Sequence, residues 1–191
     1  MALGFFFDMT SCIGCKTCQI ACKDKNDLPI GTLFRSITSY ETGDFPAPGV
    51  FHVSSTCNHC GSPACVANCP TGAMYQNEDD VVLHDDEMCI GCGTCVNSCP
   101  YGVPKLLEDK GISGKCDTCI GIRANGGQPQ CVASCVMRAL EFGDLADLMK
   151  AHPDAVSIAE LPFMPKSDTV PGTLVLPKAF ALKDAAHTVE I

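Results

Sequence analysis

Sixteen of the 191 residues are cysteine, and they fall into four groups whose internal spacing suits iron–sulfur ligation. Cys12, Cys15, Cys18 and Cys22 read C-x2-C-x2-C-x3-C, and Cys57, Cys60, Cys65 and Cys69 read C-x2-C-x4-C-x3-C-P. Cys89, Cys92, Cys95 and Cys99 read C-x2-C-x2-C-x3-C-P, and Cys116, Cys119, Cys131 and Cys135 read C-x2-C-x11-C-x3-C. A [4Fe–4S] cluster takes four thiolates, so the groups suffice for four clusters with none left over. Such centres store and pass single electrons.

Other uses of cysteine fit less well. A disulfide framework needs an oxidising compartment and usually a secretory signal. The opening Met1-Ala-Leu-Gly-Phe-Phe-Phe-Asp8 has no basic segment, only a brief apolar run and no cleavage site. Structural zinc takes paired C-x2-C knuckles separated by long gaps. Here a third cysteine follows closely in three groups, and a fourth always follows after x3. Zinc stays open chiefly for the last group, with its x11 gap. The C-x3-C-x2-C triplet of radical enzymes that use S-adenosylmethionine is missing, and 46% hydrophobic residues exclude a coreless metallothionein-like protein.

The pairing of groups follows from where the fourth cysteine points. The x3 spacing places it one helical turn on, and in two-cluster ferredoxins it ligates the other cluster. The second and third groups are adjacent, and both end in Cys-Pro (Cys69-Pro70, Cys99-Pro100). Thr71 to Tyr75 and Tyr101 to Lys105 each lead toward a short strand, and Val81-Val82-Leu83 reads as another. The first and last groups then pair across this unit, with strands expected at Gly4–Asp8 and Ala139–Gly143. The expected ligand sets are Cys12, Cys15, Cys18 with Cys135; Cys116, Cys119, Cys131 with Cys22; Cys57, Cys60, Cys65 with Cys99; and Cys89, Cys92, Cys95 with Cys69.

The expected fold is therefore α+β, with two interleaved ferredoxin-like modules of two [4Fe–4S] clusters each, the second inserted in the first. Residues 1–49 and 109–150 form the outer module, 50–108 the inserted one, and 151–191 an extended C-terminal tail packing on a partner. Arg35 to Tyr40 alternates like a strand, Thr42 to Gly49 reads as a turn-rich loop, and Leu145 to His152 as a short helix. Pro153, Pro162, Pro165, Pro171 and Pro177 argue for an extended tail, and Leu161, Phe163, Leu174 and Val175 for a strap on another subunit. With 18% charged residues, 6% aromatics and no Trp, folding should depend on cluster insertion.

A net charge of −9 before any thiolate is counted makes nucleic acid an unsuitable partner. No apolar run approaches the ~20 residues of a membrane span, since Thr173–Leu182 is interrupted by Pro177 and Lys178. His59, between Cys57 and Cys60, is expected to pack rather than ligate. Tyr40, Tyr75 and Tyr101 are expected to pack, and His52, His84, His152 and His187 mark no site. Lys16 and Lys23 either raise the potential of the first cluster or are merely solvated. No nucleophile–base set, phosphate loop or carboxylate pair marks a catalytic residue or a small-molecule substrate.

On Gly4–Asp8, Cys12-Ile-Gly-Cys-Lys-Thr-Cys18, Ala21–Asp24, Cys57-Asn-His-Cys60, Cys69–Met74, Cys89-Ile-Gly-Cys92, Cys99–Gly102 and Arg138–Gly143, the sequence resembles a known family. It is similar, over about residues 4–150, to the iron–sulfur electron-transfer subunits of molybdopterin oxidoreductases of the dimethyl sulfoxide reductase family. The resemblance implies a non-catalytic subunit with four [4Fe–4S] clusters, which passes electrons between a quinol-oxidising membrane anchor subunit and a molybdenum or tungsten bis-pterin catalytic subunit. The Cys12 cluster would face the catalytic subunit, followed by the Cys116 and Cys57 clusters, with the Cys89 cluster nearest the membrane. The complex would be peripheral to the membrane, on a side the sequence does not set. Cys135-Val136 departs from the family's frequent Cys-Pro. Service to a formate dehydrogenase or hydrogenase, or life as a free-standing polyferredoxin, are the alternatives.

Overall fold

Phe5, Phe6 and Phe7 cannot share one face of a strand, and both faces of theirs are covered. A computed structural model of the protein describes residues 2–182 and 186–190. Met1 and positions 183–185 and 191 of the expected outer module and tail lie outside the described residues. The fold starts with β1 (Leu3–Asp8), α1 (Thr17–Lys25), and the hairpin of β2 (Ser36–Thr42) and β3 (Gly49–Ser55). Next come α2 (Ala64–Ala67), the hairpin of β4 (Met74–Gln76) and β5 (Val82–His84), and α3 (Thr94–Ser98). The hairpin of β6 (Lys105–Leu107) and β7 (Ile112–Gly114) leads to α4 (Ile120–Arg123) and α5 (Gln130–Ala133). Then follow β8 (Leu140–Asp144), α6 (Leu145–Ala151), β9 (Val156–Ser157), β10 (Thr173–Leu176) and β11 (His187–Val189).

β1 sits inside a sheet of order β8-β1-β10-β9, antiparallel to β8 and parallel to β10. Phe5 and Phe7 point into the main core, whereas Phe6 joins Leu148 and Leu174 behind the sheet and stacks on His152 at 3.6 Å. Asp144 ends β8 and starts α6, because its carboxylate accepts from the Ala146 and Asp147 amides. At Gly4 a side chain would meet the Gly172 carbonyl at 2.1 Å, so β1 and the tail touch backbone to backbone. The main core is continuous. It joins Phe51, Val53, Val103 and Leu107 to Phe5, Phe7, Leu140 and several cysteines.

Two expectations need correction. Leu161 and Val175 are fully buried and Leu174 nearly so, while Phe163 packs on Tyr40 and Phe51. The tail's apolar residues thus fill this protein's own core, because β10 supplies the parallel neighbour that β1 needs on its second edge. The proposed boundaries also fall inside hairpins. β2 pairs with β3 across position 49, and β6 pairs with β7 across position 108. Backbone pairing there ties the two expected modules together.

Candidate metal centres

In every group the x3 spacing becomes one turn of helix. Cys18 and Cys22 lie on α1, Cys65 on α2, Cys95 on α3 and Cys131 on α5; Cys69, Cys99 and Cys135 follow just past the ends of the last three. The entries into these helices differ in a regular way. Lys16 and Gly93, with φ of 61° and 71°, lead into α1 and α3 through left-handed backbone, whereas Pro63 and Pro129 lead into α2 and α5. α1 packs on α5 and α2 on α3, so each pair joins one helix of each kind.

The thiols gather accordingly. Cys12, Cys15, Cys18 and Cys135 line one cavity with Phe7, Ile37 and Leu140. Cys57, Cys60, Cys65 and Cys99 line a second with Val82, Pro100 and Lys115. Cys22 stands among Cys116, Cys131 and Cys119; burial, reinforced by Cys116, pushes its thiol up to about 12. The remaining thiols meet through the β6–β7 hairpin. The Ser113 amide donates to Cys89 at 3.4 Å, the Ser113 hydroxyl lies 3.2 Å from Cys95, and Cys69 acts on the exposed Cys92.

Burial pushes the Cys57, Cys60 and Cys65 thiols up to about 11, so without a metal they stay protonated near neutral pH. Binding iron would drive off those protons and draw the backbone around the metal. Among the described residues, no three His, Cys, Asp or Glu side chains converge as they would on a single ion. Amides of Met74, Thr118, Gln130 and Ala139 also aim at Cys69, Cys116, Cys119 and Cys135, at 3.3 to 3.5 Å. Donors to cluster sulfurs raise the reduction potential by stabilising the more negative reduced form.

His59 is buried, its Nδ1 accepts from the Val82 amide at 3.1 Å, and it does not line the Cys57 cavity. Lys16 lines the first cavity, but Lys23 turns away and donates to the Leu28 and Pro29 carbonyls. Sequence reasoning missed several residues beside the thiols. Thr17 and Thr94 place hydroxyls 3.4 and 3.3 Å from Cys15 and Cys92, and their signal was the repeated Cys-x-Thr-Cys. Ser54, Arg35 and Lys115 are buried near the cysteines, and nothing in their local sequence marks them. No described helix is long and apolar enough to cross a membrane.

Comparisons with known proteins agree with this site. A 4Fe–4S dicluster domain model matches residues 49–145, and a 4Fe–4S binding domain model residues 9–25. The sequence is 45% identical over 167 residues to the B subunit of anaerobic dimethyl sulfoxide reductase of Escherichia coli K12, covering 83% of this protein and 82% of that one. It is 42% identical over 187 residues to the corresponding B subunit of Haemophilus influenzae, covering 93% and 90%. Identity to the thiosulfate reductase electron transfer subunit PhsB of Salmonella typhi is 39% over 142 residues, covering 72% and 73%.

Proposed function

We propose, on the premise that this protein belongs to the family of iron–sulfur B subunits of anaerobic dimethyl sulfoxide reductase, that it relays electrons through four [4Fe–4S] clusters. It is an electron-transfer subunit of an oxidoreductase complex and not its catalytic subunit. The observation that carries the reading is the sharing of cavities between distant groups. Cys135 joins the Cys12 group, and Cys99 joins the Cys57 group. The ligand sets proposed are Cys12, Cys15, Cys18, Cys135; Cys22, Cys116, Cys119, Cys131; Cys57, Cys60, Cys65, Cys99; and Cys69, Cys89, Cys92, Cys95. The two modules are thus interleaved at the level of their metal sites, although their hairpins join them.

When bound, each cluster supplies a site that takes up and releases one electron. The protein's own residues hold the thiolates, bury all four of the Cys22, Cys116, Cys119, Cys131 set and donate hydrogen bonds to sulfur. We place the Cys12 site against a molybdopterin catalytic subunit and the Cys89 site toward a quinol-oxidising membrane subunit, in a complex peripheral to the membrane. The tail does not argue for a partner, since its apolar residues are buried at home. The rim of the first cavity does. Ile13 and Met137 line it and are 57% and 44% exposed, and Val136 next in sequence to Met137 is 62% exposed, apolar surface that a partner would cover.

Anaerobic purification through a tag on this subunit tests the assignment. A larger polypeptide containing molybdenum or tungsten and pterin should co-purify in constant proportion. A clean monomer would instead support a free-standing polyferredoxin, and a partner with formate dehydrogenase or hydrogenase activity would reverse the direction of electron flow.

A further inference from the structure

Among the described residues Arg35 is the largest fully buried side chain, 2% exposed, and no carboxylate lies within ion-pair distance of it. Its Nη1 donates to the Ser54 hydroxyl at 2.7 Å, and its guanidinium lies 4.8 Å from the centre of the Phe5 ring. Nε and Nη2 meet no acceptor of ordinary hydrogen-bond geometry. A buried cation without a counter-charge is strongly unfavourable, and buried N–H donors are rarely left unmet.

The sulfurs around it belong to two different sets. The Ser54 hydroxyl that accepts from Arg35 lies 3.8 Å from the Cys18 sulfur. Cys131, Cys116 and Cys22 of the second set also lie within the electrostatic reach of Arg35. A guanidinium stays charged in any protein environment. Arg35 thus lies within electrostatic reach of Cys18 in one set and of Cys22, Cys116 and Cys131 in the other.

We propose that Arg35 is the shared counter-cation of the two outer metal sites, built from Cys12, Cys15, Cys18, Cys135 and from Cys22, Cys116, Cys119, Cys131, and that it holds both reduction potentials up. The inference rests on the cluster assignment above. Each added electron makes a cluster one unit more negative, and a fixed positive charge between two clusters stabilises either reduced form. It also offsets the repulsion that one reduced cluster exerts on its neighbour. The unmet nitrogens Nε and Nη2 can donate to sulfur, and the Cys131 thiol is the one the guanidinium already approaches. Arg35 is a positioning residue in this sense: it carries no electron and sets where the electron rests. Arg35 is not among the leading influences on Cys69 or Cys92, which makes the Cys89 site an internal control.

The test is an EPR-monitored redox titration of wild type, Arg35→Gln and Arg35→Lys, each purified anaerobically with whatever accompanies it and assayed for iron and sulfide. With iron at the wild-type level, Arg35→Gln should shift the reduction equilibrium of two clusters at least about tenfold toward the oxidised form, or about 59 mV more negative. Arg35→Lys should restore most of that shift, and the Cys89 cluster should stay near its wild-type potential. Full iron with unchanged potentials, or an equal shift in all four clusters, would overturn the proposal. Should Arg35→Gln lose iron, wild type and Arg35→Lys decide, grown on arginine labelled with 15N in the guanidino group. Pulsed EPR of the reduced protein should show a nitrogen coupling that Arg35→Lys abolishes; its absence in wild type overturns the proposal. Wild-type iron far below sixteen per polypeptide would instead overturn the cluster assignment, and this inference with it.

Discussion

Cys135 lines the same cavity as Cys12, while Cys22, the fourth cysteine of the Cys12 group, stands beside Cys116 and Cys131. In the proposed ligand sets the first and last cysteine groups exchange their final members across most of the sequence. The short helices make this possible. α1 and α5 pack together, and each places its two cysteines one turn apart.

The exchange can be read from single substitutions. Cys135→Ala should remove about four of sixteen irons and abolish the signal of the Cys12 cluster. Cys22→Ala should also remove about four, but from the Cys116 cluster. Iron analysis with EPR of each variant checks this, and loss of the same signal in both variants would refute the exchange.

Gly14 holds the first ligand loop in a conformation that only glycine adopts without strain. Its φ is +69°, and a side chain there would meet the His52 ring at 2.6 Å. Gly14→Ala should add about 1–2 kcal/mol of backbone strain to that clash and lose the Cys12 cluster selectively. Pairing it with His52→Ala should recover part of the iron, because the clash is removed and only the strain remains.

The tail should matter for stability even without a partner. Leu161→Ala opens a cavity in the main core and should cost about 2–5 kcal/mol. Bleaching of the cluster absorbance should then occur at lower guanidinium concentration than in wild type. An unchanged midpoint would mean that the tail docks only weakly on its own core.

His59 separates a packing role from a ligand role. His59→Ala leaves the buried Val82 amide without its acceptor, which should cost about 1–3 kcal/mol. Iron content should not change, because the Cys57 cavity has four thiols without it. A loss of about four irons would make His59 a ligand after all.

Much of the metal site was legible because cluster ligation constrains spacing so tightly. The x3 steps, the strands at Gly4–Asp8 and Ala139–Gly143, and the helix from Leu145 all appear within a residue or two of their expected positions. What spacing does not encode is long-range pairing. β10 carries no periodicity that distinguishes a strap on a partner from a strand beside β1, since either would bury Leu174 and Val175. The boundaries expected at 49 and 108 fall within hairpins for a similar reason, because turn signals mark hairpins as readily as linkers. Arg35 was invisible for a different cause. A charged residue at the start of a strand reads as solvated, and only the fold brings Ser54 and the cysteines around it.

A four-cluster relay requires iron for four cubanes. Iron and acid-labile sulfide should be measured on anaerobically purified protein, with an EPR-monitored redox titration of the same sample. About sixteen irons per polypeptide, with magnetically coupled reduced cubanes, is the predicted result. About eight irons with zinc in the remaining sites would contradict it, and would restrict the relay to a single two-cluster module.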